Sequence, residues 1–290
     1  MSNSDFDPNK FKASQRQSWD SVAKGWQKWW KTFESGAQRV SDRLVELAEI
    51  KPGQRVLDLA TGIGEPAITA AKIVGNGHVL AIDISAQMLA IAEERAKSLG
   101  LQDKMEFREI DAENLDSLPN LAFDAILSRW GLMFLPNLEI ALRDMQRLLV
   151  SRGKLAAAVW SEPAKVPMIN MSISSVREQL QAPLVGQGIP GPFSLADVDA
   201  LKKSLLKAGF IDIQSESITV TFEFDSAEHY TTFNQDIVAP IRVMLANETE
   251  ERKQEIWGAV TDQARRQYAD PDSGRVKFDN EAICIVGRKP

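Results

Sequence analysis

The sequence is poor in the side chains that build disulfide frameworks and metal centres. Its 290 residues include one cysteine, Cys284, and two histidines, His78 and His229. A single cysteine excludes an internal disulfide framework and a cysteine-based metal cluster, because both need several thiols. Two histidines argue against a histidine metal site, so we predict no metal. The low cysteine content is typical of a reducing compartment, and we expect a cytoplasmic protein.

Long apolar runs and an excess of basic charge are also missing. No apolar run reaches the roughly 18 residues of a membrane-spanning helix, and we expect no membrane span. The first residues, Met1–Lys12, are polar and lack the apolar core of a signal peptide. The chain has 34 basic and 40 acidic residues, a net charge of −6, whereas nucleic-acid binding needs a basic surface. We therefore predict a small-molecule partner and no nucleic acid. The oligomeric state, monomer or homodimer, stays open.

A glycine-rich segment that begins at Arg55 is the strongest signal present, and it reads RVLDLATGIGEPA. Its apolar start is typical of a strand buried in a parallel sheet, and the chain then turns through Gly62 and Gly64 into a helix. Glycines allow a tight turn and let a ligand lie against bare backbone. The spacing G-x-G-x-x-A also satisfies the loose dinucleotide fingerprint, so an NAD-dependent oxidoreductase is one candidate.

Two carboxylates in this segment argue against a dinucleotide. We expect Asp58 at the carboxyl end of the strand and Glu65 in the first turn of the helix, where a pyrophosphate normally binds. Both carboxylates would repel a bound dianion. They suit a ligand with a cationic head and no phosphate instead. S-adenosylmethionine (SAM) is such a ligand, because it carries a sulfonium and an ammonium group.

The stretch Val56–Gly64, VLDLATGIG, resembles the first motif of class I SAM-dependent methyltransferases. It is most similar to the branch that contains the ubiquinone/menaquinone C-methyltransferases and other small-molecule enzymes. The resemblance covers residues 14–160 well and the remainder loosely. It implies methyl transfer to a small molecule at oxygen, carbon or nitrogen, by in-line displacement and with catalysis mainly by positioning and desolvation. The tryptophans and methionines favour an apolar or aromatic acceptor, although a hydrophobic core explains them nearly as well. The same motif is compatible with a non-catalytic SAM-binding protein, or with a methyltransferase that acts on RNA or protein.

Candidate cofactor-binding residues follow the predicted strands. Asp83 ends the second strand 19 residues after Gly64, close to the roughly 20 expected of an acid that binds ribose hydroxyls. The resemblance implies that Met88 contacts the adenine and that Asp111, beside the backbone of Ala112, accepts from its amino group. The predicted cofactor-binding residues are Trp26, Asp58, Ala60, Thr61, Gly62, Gly64, Asp83, Ile84, Met88, Asp111, Ala112, Glu113, Ser128 and Arg129.

Four of the seven tryptophans fall in one segment near the N-terminus, after a tail at residues 1–13 that we expect to be loose. Ser14–Phe33 has apolar residues at helical spacing and predicts a helix that packs on the core or covers a ligand; the resemblance favours a cover. A second helix is expected at Val40–Ile50, with Gly25 and Gly36 as interruptions that allow a hinge. The predicted acceptor pocket consists of Trp30, Trp130 and Phe134.

No combination of Ser, His and Asp, or of Cys and His, indicates covalent catalysis. A base is needed only where the acceptor must lose a proton, as a phenol or an alcohol would. His229 follows the sixth predicted strand, in an insertion that could reach the acceptor. It is the predicted catalytic residue, and a purely structural role for this histidine stays open.

Strands and helices alternate from Arg55 to Trp160, which predicts a parallel sheet with right-handed crossovers. The expected fold class is α/β: a Rossmann-like sheet of seven strands, mostly parallel with an antiparallel last strand, helices on both faces and helical insertions capping the active site. The fifth and last strands are expected at Lys154–Trp160 and Ala282–Val286. The predicted units are an N-terminal helical cover (1–50), a SAM-binding core (51–160), a helical insertion or lid (161–193) and the rest of the core (194–290) with a two-helix insertion (226–269).

Overall fold

The structure, a computed structural model, describes residues 7–182 and 189–290. Strands alternate with helices through the first half of the chain, and helical insertions follow. The elements are α1 (Pro8–Leu47), β1 (Arg55–Leu59), α2 (Ala67–Ile73), β2 (His78–Asp83), α3 (Ala86–Ser98), β3 (Met105–Glu109), β4 (Phe123–Arg129), α4 (Leu138–Leu148), β5 (Leu149–Trp160), α5 (Pro167–Gln179), α6 (Val198–Lys207), β6 (Ile211–Phe224), α7 (Ala227–Ile237), α8 (Ala239–Met244), α9 (Glu250–Tyr268) and β7 (Val276–Arg288).

Seven strands form one sheet in the order β3-β2-β1-β4-β5-β7-β6. The pairs among β1 to β5 are parallel, whereas β7 is antiparallel to both β5 and β6. The predicted fold class is confirmed. Because β1 to β5 run in the same direction, their carboxyl ends meet at one edge of the sheet, where ligands bind in open α/β folds.

Both faces of the sheet are buried, and successive residues of a strand serve different cores. Val56 packs in a core with α1 and α2, whereas Leu57 and Leu59 pack in a core with α4 and α6. This alternation follows from the two-residue period of a strand. It explains why the inner strands carry apolar residues on both faces. No helix in the described part of the chain is long and apolar enough to cross a membrane.

The N-terminal segment forms a single helix of 40 residues, α1. The prediction of two helices joined by a glycine hinge is wrong, because both glycines are points of close packing. A Cβ at Gly25 would lie 2.1 Å from the backbone oxygen of Asp236, and one at Gly36 would lie 2.3 Å from that of Thr221. The predicted loose tail is also wrong from Asp7 onward, since the Asp7 carboxylate caps the start of α1. Residues 1–6 of that tail lie outside the described residues.

The start of one predicted strand is displaced. β5 begins at Leu149 rather than Lys154, because the chain continues as a strand through an irregularity in its pairing with β4, where Arg152 has a φ of 66°. α6 begins after Asp197, whose carboxylate accepts from the Asp199 and Ala200 N–H groups, each at 3.0 Å.

The C-terminal part is more regular than its sequence indicates. β7 is longer than predicted and pairs with β6 along nearly its whole length, from Phe224–Val276 to Ile211–Arg288. The insertion at 226–269 holds three helices rather than two, because Val238 separates α7 from the short α8. Part of the predicted lid, residues 183–188, lies outside the described residues.

Replacing Gly25 by alanine is expected to lower the free energy of unfolding by about 1–3 kcal/mol, because the new methyl group would overlap the Asp236 backbone and force α1 away from α7. Gly258 in α9 is the matched control, since a Cβ there has no atom within 4 Å. G258A is expected to raise stability by about 0.4–1 kcal/mol. Urea unfolding measures both effects. Equal stability of G25A and the wild type would contradict the packing described.

Candidate active site

The carboxyl ends of the parallel strands face a cavity of about 460 Å³. Residues at or just after the strand ends form its floor, among them Ala60 after β1, Ile84 after β2 and Trp130 after β4. Side chains of α1 cover it, and residues of α5, α7 and α8 complete the wall. The fold therefore brings the ends of five strands and side chains of five helices to a single cavity.

One end of the cavity lies between the glycine loop and the acid that ends β2. Gly62 has a φ of 56°, and a Cβ built there would have no atom within 4 Å. The Gly62 N–H donates to Asp83 Oδ2 at 2.8 Å, and the Ser85 N–H donates to Asp83 Oδ1 at 2.9 Å. Since a carboxylate has about four acceptor sites, Asp83 keeps lone pairs for a ligand with hydroxyl groups.

Burial raises the pKa of Asp83 to about 6, because loss of water disfavours the charged carboxylate, while the backbone N–H donors act in the opposite direction. A ligand that donates hydrogen bonds to this carboxylate would favour its charged form. Ligand binding and deprotonation of Asp83 are therefore coupled.

An ion-pair cluster closes the rim beside this end and ties α1 to the loop after β3. Lys12 Nζ lies 2.8 Å from Asp111 Oδ2 and 3.2 Å from Glu113 Oε2. Asp111 Oδ1 also accepts from the Glu113 N–H at 2.9 Å. Glu113 in turn accepts from the backbone and side-chain amides of Asn137, before α4. Both carboxylate oxygens of Asp111 are thus already engaged by protein groups.

The other end of the cavity, which we call the aromatic end, is mostly apolar. The Arg129 guanidinium borders it, 5.1 Å from the ring centroid of Trp130 and 5.8 Å from that of Phe33. Trp130 stacks on Trp160 with ring centroids 4.2 Å apart, and Phe33 packs edge-on against Trp130 at 5.6 Å. Asn234 adds an uncharged amide. The aromatic end consists of Phe33, Trp130, Met133, Trp160, Met168, Ile169, Ile173, Phe233, Asn234, Ile237 and Val238.

Two residues of the cavity wall have a left-handed backbone that side chains rarely adopt. Ala60 has a φ of 55° and Trp130 a φ of 60°. Such conformations cost on the order of 1–3 kcal/mol each, and they concentrate at functional sites. Gly131 relieves the crowding between the two loops, since a Cβ there would lie 2.6 Å from that of Ala60. The strain at these two residues lies at the edge of the sheet that faces the cavity.

Comparison with known proteins relates this chain to methyltransferases. The Methyltransferase domain family matches residues 50–187. The ubiquinone/menaquinone biosynthesis C-methyltransferase UbiE of Pseudomonas fluorescens is 29% identical over 210 residues, which cover 69% of this chain and 78% of that protein. UbiE of Pseudomonas savastanoi pv. phaseolicola is 34% identical over 145 residues, 50% of this chain; the matched part spans about half of that protein, 52%.

The chain is a class I SAM-dependent methyltransferase. Phosphoethanolamine N-methyltransferase 2 of Haemonchus contortus, solved with phosphomonomethylethanolamine and S-adenosylhomocysteine, has the same fold. Its TM-score is 0.60 at 19% identity, over 97% of this chain and 60% of that one. SAM is the cofactor, so the oxidoreductase hypothesis is wrong.

The residues present fit SAM. At the glycine loop, the space beside Gly62 leaves room for a ligand against the backbone, and Asp83 offers acceptors to ribose hydroxyls. Met88 and Ala112 provide apolar surface for a flat base. Thr61 also lines the cavity and is buried in the loop where the methyltransferase motif predicts cofactor contacts.

Most predicted site residues of the methyltransferase line the cavity. They are Trp26, Ala60, Thr61, Gly62, Asp83, Ile84, Met88, Asp111, Ala112, Arg129, Trp130 and Phe134. The others are not among the residues that form its wall: Trp30, Asp58, Gly64, Glu113, Ser128 and His229.

Three of the residues outside the wall support the structure around it. Ser128 Oγ donates to the Leu59 backbone oxygen at 3.0 Å and links β4 to β1. Gly64 makes room for Ile68, whose side chain would lie 2.8 Å from a Cβ at that glycine. Trp30 packs beneath the Arg95 guanidinium, 4.6 Å from the ring centroid.

Asp58 does not present its charge to the cavity, contrary to the expectation from the sequence. Its side chain is fully buried, and its Oδ2 accepts from the Ala67 N–H at 3.1 Å. Burial raises the pKa of Asp58 to about 7, because no water solvates the charge. Of the two acids in the glycine-rich segment, Glu65 alone lines the cavity. The acids that line the cavity are Glu65, Asp83 and Asp111.

Arg129 lines the cavity, but its guanidinium is held by α1. Its two terminal nitrogens lie 2.6 and 2.8 Å from the Glu34 carboxylate, and Nη1 also donates to Ser41 Oγ at 2.8 Å. Both charged side chains are buried. The pair therefore fixes the cover helix on β4 next to the cofactor site.

The geometry gives no support to a catalytic role for His229. Its ring packs against Trp29, with centroids 4.8 Å apart, and Nδ1 accepts from the Asp225 N–H at 3.3 Å. Sequence reasoning missed Trp160 and Asn234. Trp160 ends β5, and the rule that strand ends line the site could have found it. No motif marks Asn234, which lies in a helical insertion.

Replacing Asp83 by asparagine is expected to weaken S-adenosylhomocysteine binding about 10- to 100-fold, because two hydrogen bonds to a charged acceptor would be lost. Calorimetry at pH 7.5 measures the dissociation constant. Asp20, which accepts from the Ser85 hydroxyl at 2.6 Å and does not line the cavity, is the control. D20N is expected to bind within about threefold of the wild type. Equal binding by D83N would remove Asp83 from the site.

The same titration has a pH dependence. Hydrogen bonds from a ligand favour the charged carboxylate, so affinity is expected to rise as the pH increases through about 6, the pKa of Asp83 in the free protein. D83N should lose this rise between pH 5 and 7.5. If the affinity of D83N for S-adenosylhomocysteine rises with pH as strongly as that of the wild type, a group other than Asp83 causes the pH dependence.

Replacing Glu34 by glutamine is expected to cost about 3–5 kcal/mol of stability, because Arg129 would keep its buried charge without its partner. The double variant E34L/R129M should lose less, since no charge stays buried. Glu46, paired with Arg43 at 2.9 Å on the surface of the same helix, is the control. E46Q should stay within about 1 kcal/mol of the wild type in urea unfolding. Similar losses in E34Q and E46Q would contradict the role given to the buried pair.

Proposed function

We propose that this methyltransferase methylates a small, apolar or aromatic molecule by in-line displacement. The observation that carries the proposal is the continuity of the cavity, which runs from Gly62 and Asp83 to the stacked rings of Trp130 and Trp160. The name of the UbiE relatives, C-methyltransferases of ubiquinone and menaquinone biosynthesis, supports an acceptor of this class.

The cofactor end would be filled by SAM. Asp83 would bind the ribose hydroxyls, Met88 and Ala112 would pack on the adenine, and Gly62 would let the ligand lie against the loop. Lys12 and Asp111 would close the rim. When bound, SAM supplies a methyl group on a positively charged sulfur, which makes the methyl carbon electrophilic.

The acceptor would occupy the aromatic end, whose defined residues include no acid or base. The bordering Arg129 is paired with Glu34, and a guanidinium does not deprotonate in proteins. Catalysis would therefore depend on alignment and the exclusion of water, and alignment can supply up to about 7–11 kcal/mol. A neutral amine or an electron-rich aromatic carbon can attack the methyl group before it loses a proton. The proton leaves the methylated nitrogen or ring carbon afterwards, so the attack itself needs no base.

The cover formed by α1 supports a small molecule over a macromolecule. Trp19, Trp26 and Phe33 of this helix line the cavity, and Glu34 holds the helix on the sheet. A folded RNA or protein would have to displace α1 to reach the glycine loop. The net charge of −6 also provides no general attraction for RNA.

Transfer of radiolabelled methyl from SAM is the test, with substituted hydroquinones and phenols as probes and phosphoethanolamine, tRNA and bulk protein as comparison acceptors. We expect label in the aromatic probes alone. I173R, which puts a charge into the apolar wall, should lower kcat/KM at least about tenfold, with S-adenosylhomocysteine binding retained. S174R places the same charge on the exposed face of α5 and should be active.

Binding of S-adenosylhomocysteine without transfer to any aromatic probe would refute this acceptor class. Label in RNA or protein would do so as well. Loss of activity in S174R equal to that in I173R would show that the effect of arginine does not come from the aromatic end.

A further inference from the structure

Asn234 is a buried amide in an otherwise apolar part of the cavity. It is 2% exposed and lies on α7 between Phe233 and Ile237, which also line the aromatic end. These three positions share one face of the helix, since residues three and four apart are neighbours. A polar side chain among such neighbours costs free energy unless its atoms find partners.

One half of the amide has a partner within the helix. Its nitrogen Nδ2 donates to the Tyr230 backbone oxygen at 2.8 Å. Because a carbonyl oxygen can only accept, the atom facing it must be the NH₂ group, which fixes the orientation of the amide. The oxygen Oδ1 accepts from no group in the described part of the chain, and the nearby Tyr230 hydroxyl donates to Met168 instead.

A second polar atom at this end has the opposite character. The indole nitrogen of Trp130 is buried and has no hydrogen-bond partner among the described residues. The aromatic end thus combines an acceptor, Asn234 Oδ1, with a donor, Trp130 Nε1. A hydroxyl group matches both, because it donates one hydrogen bond and accepts others.

We propose that Asn234 selects and orients the methyl acceptor by accepting a hydrogen bond from a hydroxyl group on its aromatic ring. This inference rests on the proposed function and narrows its substrate class to aromatic alcohols. Asn234 acts here as a specificity residue that touches the substrate and moves no proton. The indole of Trp130 offers the same hydroxyl a donor.

Equilibrium dialysis with two probes of nearly equal shape tests the assignment. The enzyme is saturated with S-adenosylhomocysteine, and the dissociation constants of 2-naphthol and 2-fluoronaphthalene are measured. The ratio of the two constants is compared between variants, so the difference in probe hydrophobicity cancels. In N234L the dissociation constant of 2-naphthol, divided by that of 2-fluoronaphthalene, is expected to rise at least about fivefold. N234A, which adds no bulk, should shift it in the same direction.

Thr231 provides the matched control on the same helix. It is buried to a similar degree, its hydroxyl bonds to the Ala227 oxygen and to Thr261, and it is not among the cavity-lining residues. T231V should leave the ratio unchanged. Retained S-adenosylhomocysteine binding shows that each variant is folded.

The outcomes separate this inference from the proposed function. If both probes bind and the ratio is the same in wild type, N234L and N234A, Asn234 does not select the acceptor. The proposal of an aromatic acceptor is retained in that case. If neither probe binds the wild type, the proposed acceptor class fails, and this inference fails with it. An equal shift in T231V would assign the effect to general loosening of α7 and overturn the inference.

Discussion

The buried ion pair between Glu34 and Arg129 is the interaction on which the cavity depends. It joins the middle of α1 to the carboxyl end of β4. It fixes the position of α1 over the cofactor loop at the open edge of the sheet, while apolar residues of α1 pack in the core. A buried pair of this kind adds little net stability, because desolvation offsets the attraction. Its value is geometric: a guanidinium with two fixed bonds to one carboxylate determines where the helix lies.

That constraint supports the proposed mechanism, in which catalysis would need no acid or base at the aromatic end. Methyl transfer needs two partners in line and little water. The rings of Trp130, Trp160 and Phe33 supply a rigid apolar wall, and α1 closes it. The strained backbone at Trp130 also depends on this packing. A residue in this conformation is held by its surroundings rather than by its own backbone preference.

The parts of the site that follow from local chain chemistry could be predicted from the sequence. Gly62 needs a left-handed backbone, and Asp83 ends a strand at a fixed distance from it, so spacing predicts both. Trp130 follows the strand-end rule. Prediction failed where contacts with an element far away in the sequence determine the local structure. Gly25 and Gly36 look like breaks in a helix, yet Asp236 and Thr221 make them points of contact.

The acids near the glycine loop show the same limit more sharply. Their number predicts the correct cofactor, although Asp58 lies behind the wall with a raised pKa and contributes no fixed charge to the cavity. Sequence gives the presence of a carboxylate, but burial decides its protonation and hydrogen bonding decides its direction. Asn234 is the converse case. Its position on α7 carries no motif, and only the bond to Tyr230 reveals which atom it offers to a ligand. Local spacing in the sequence therefore predicts the cofactor site, whereas the proposed acceptor site depends on how the insertions pack over the sheet.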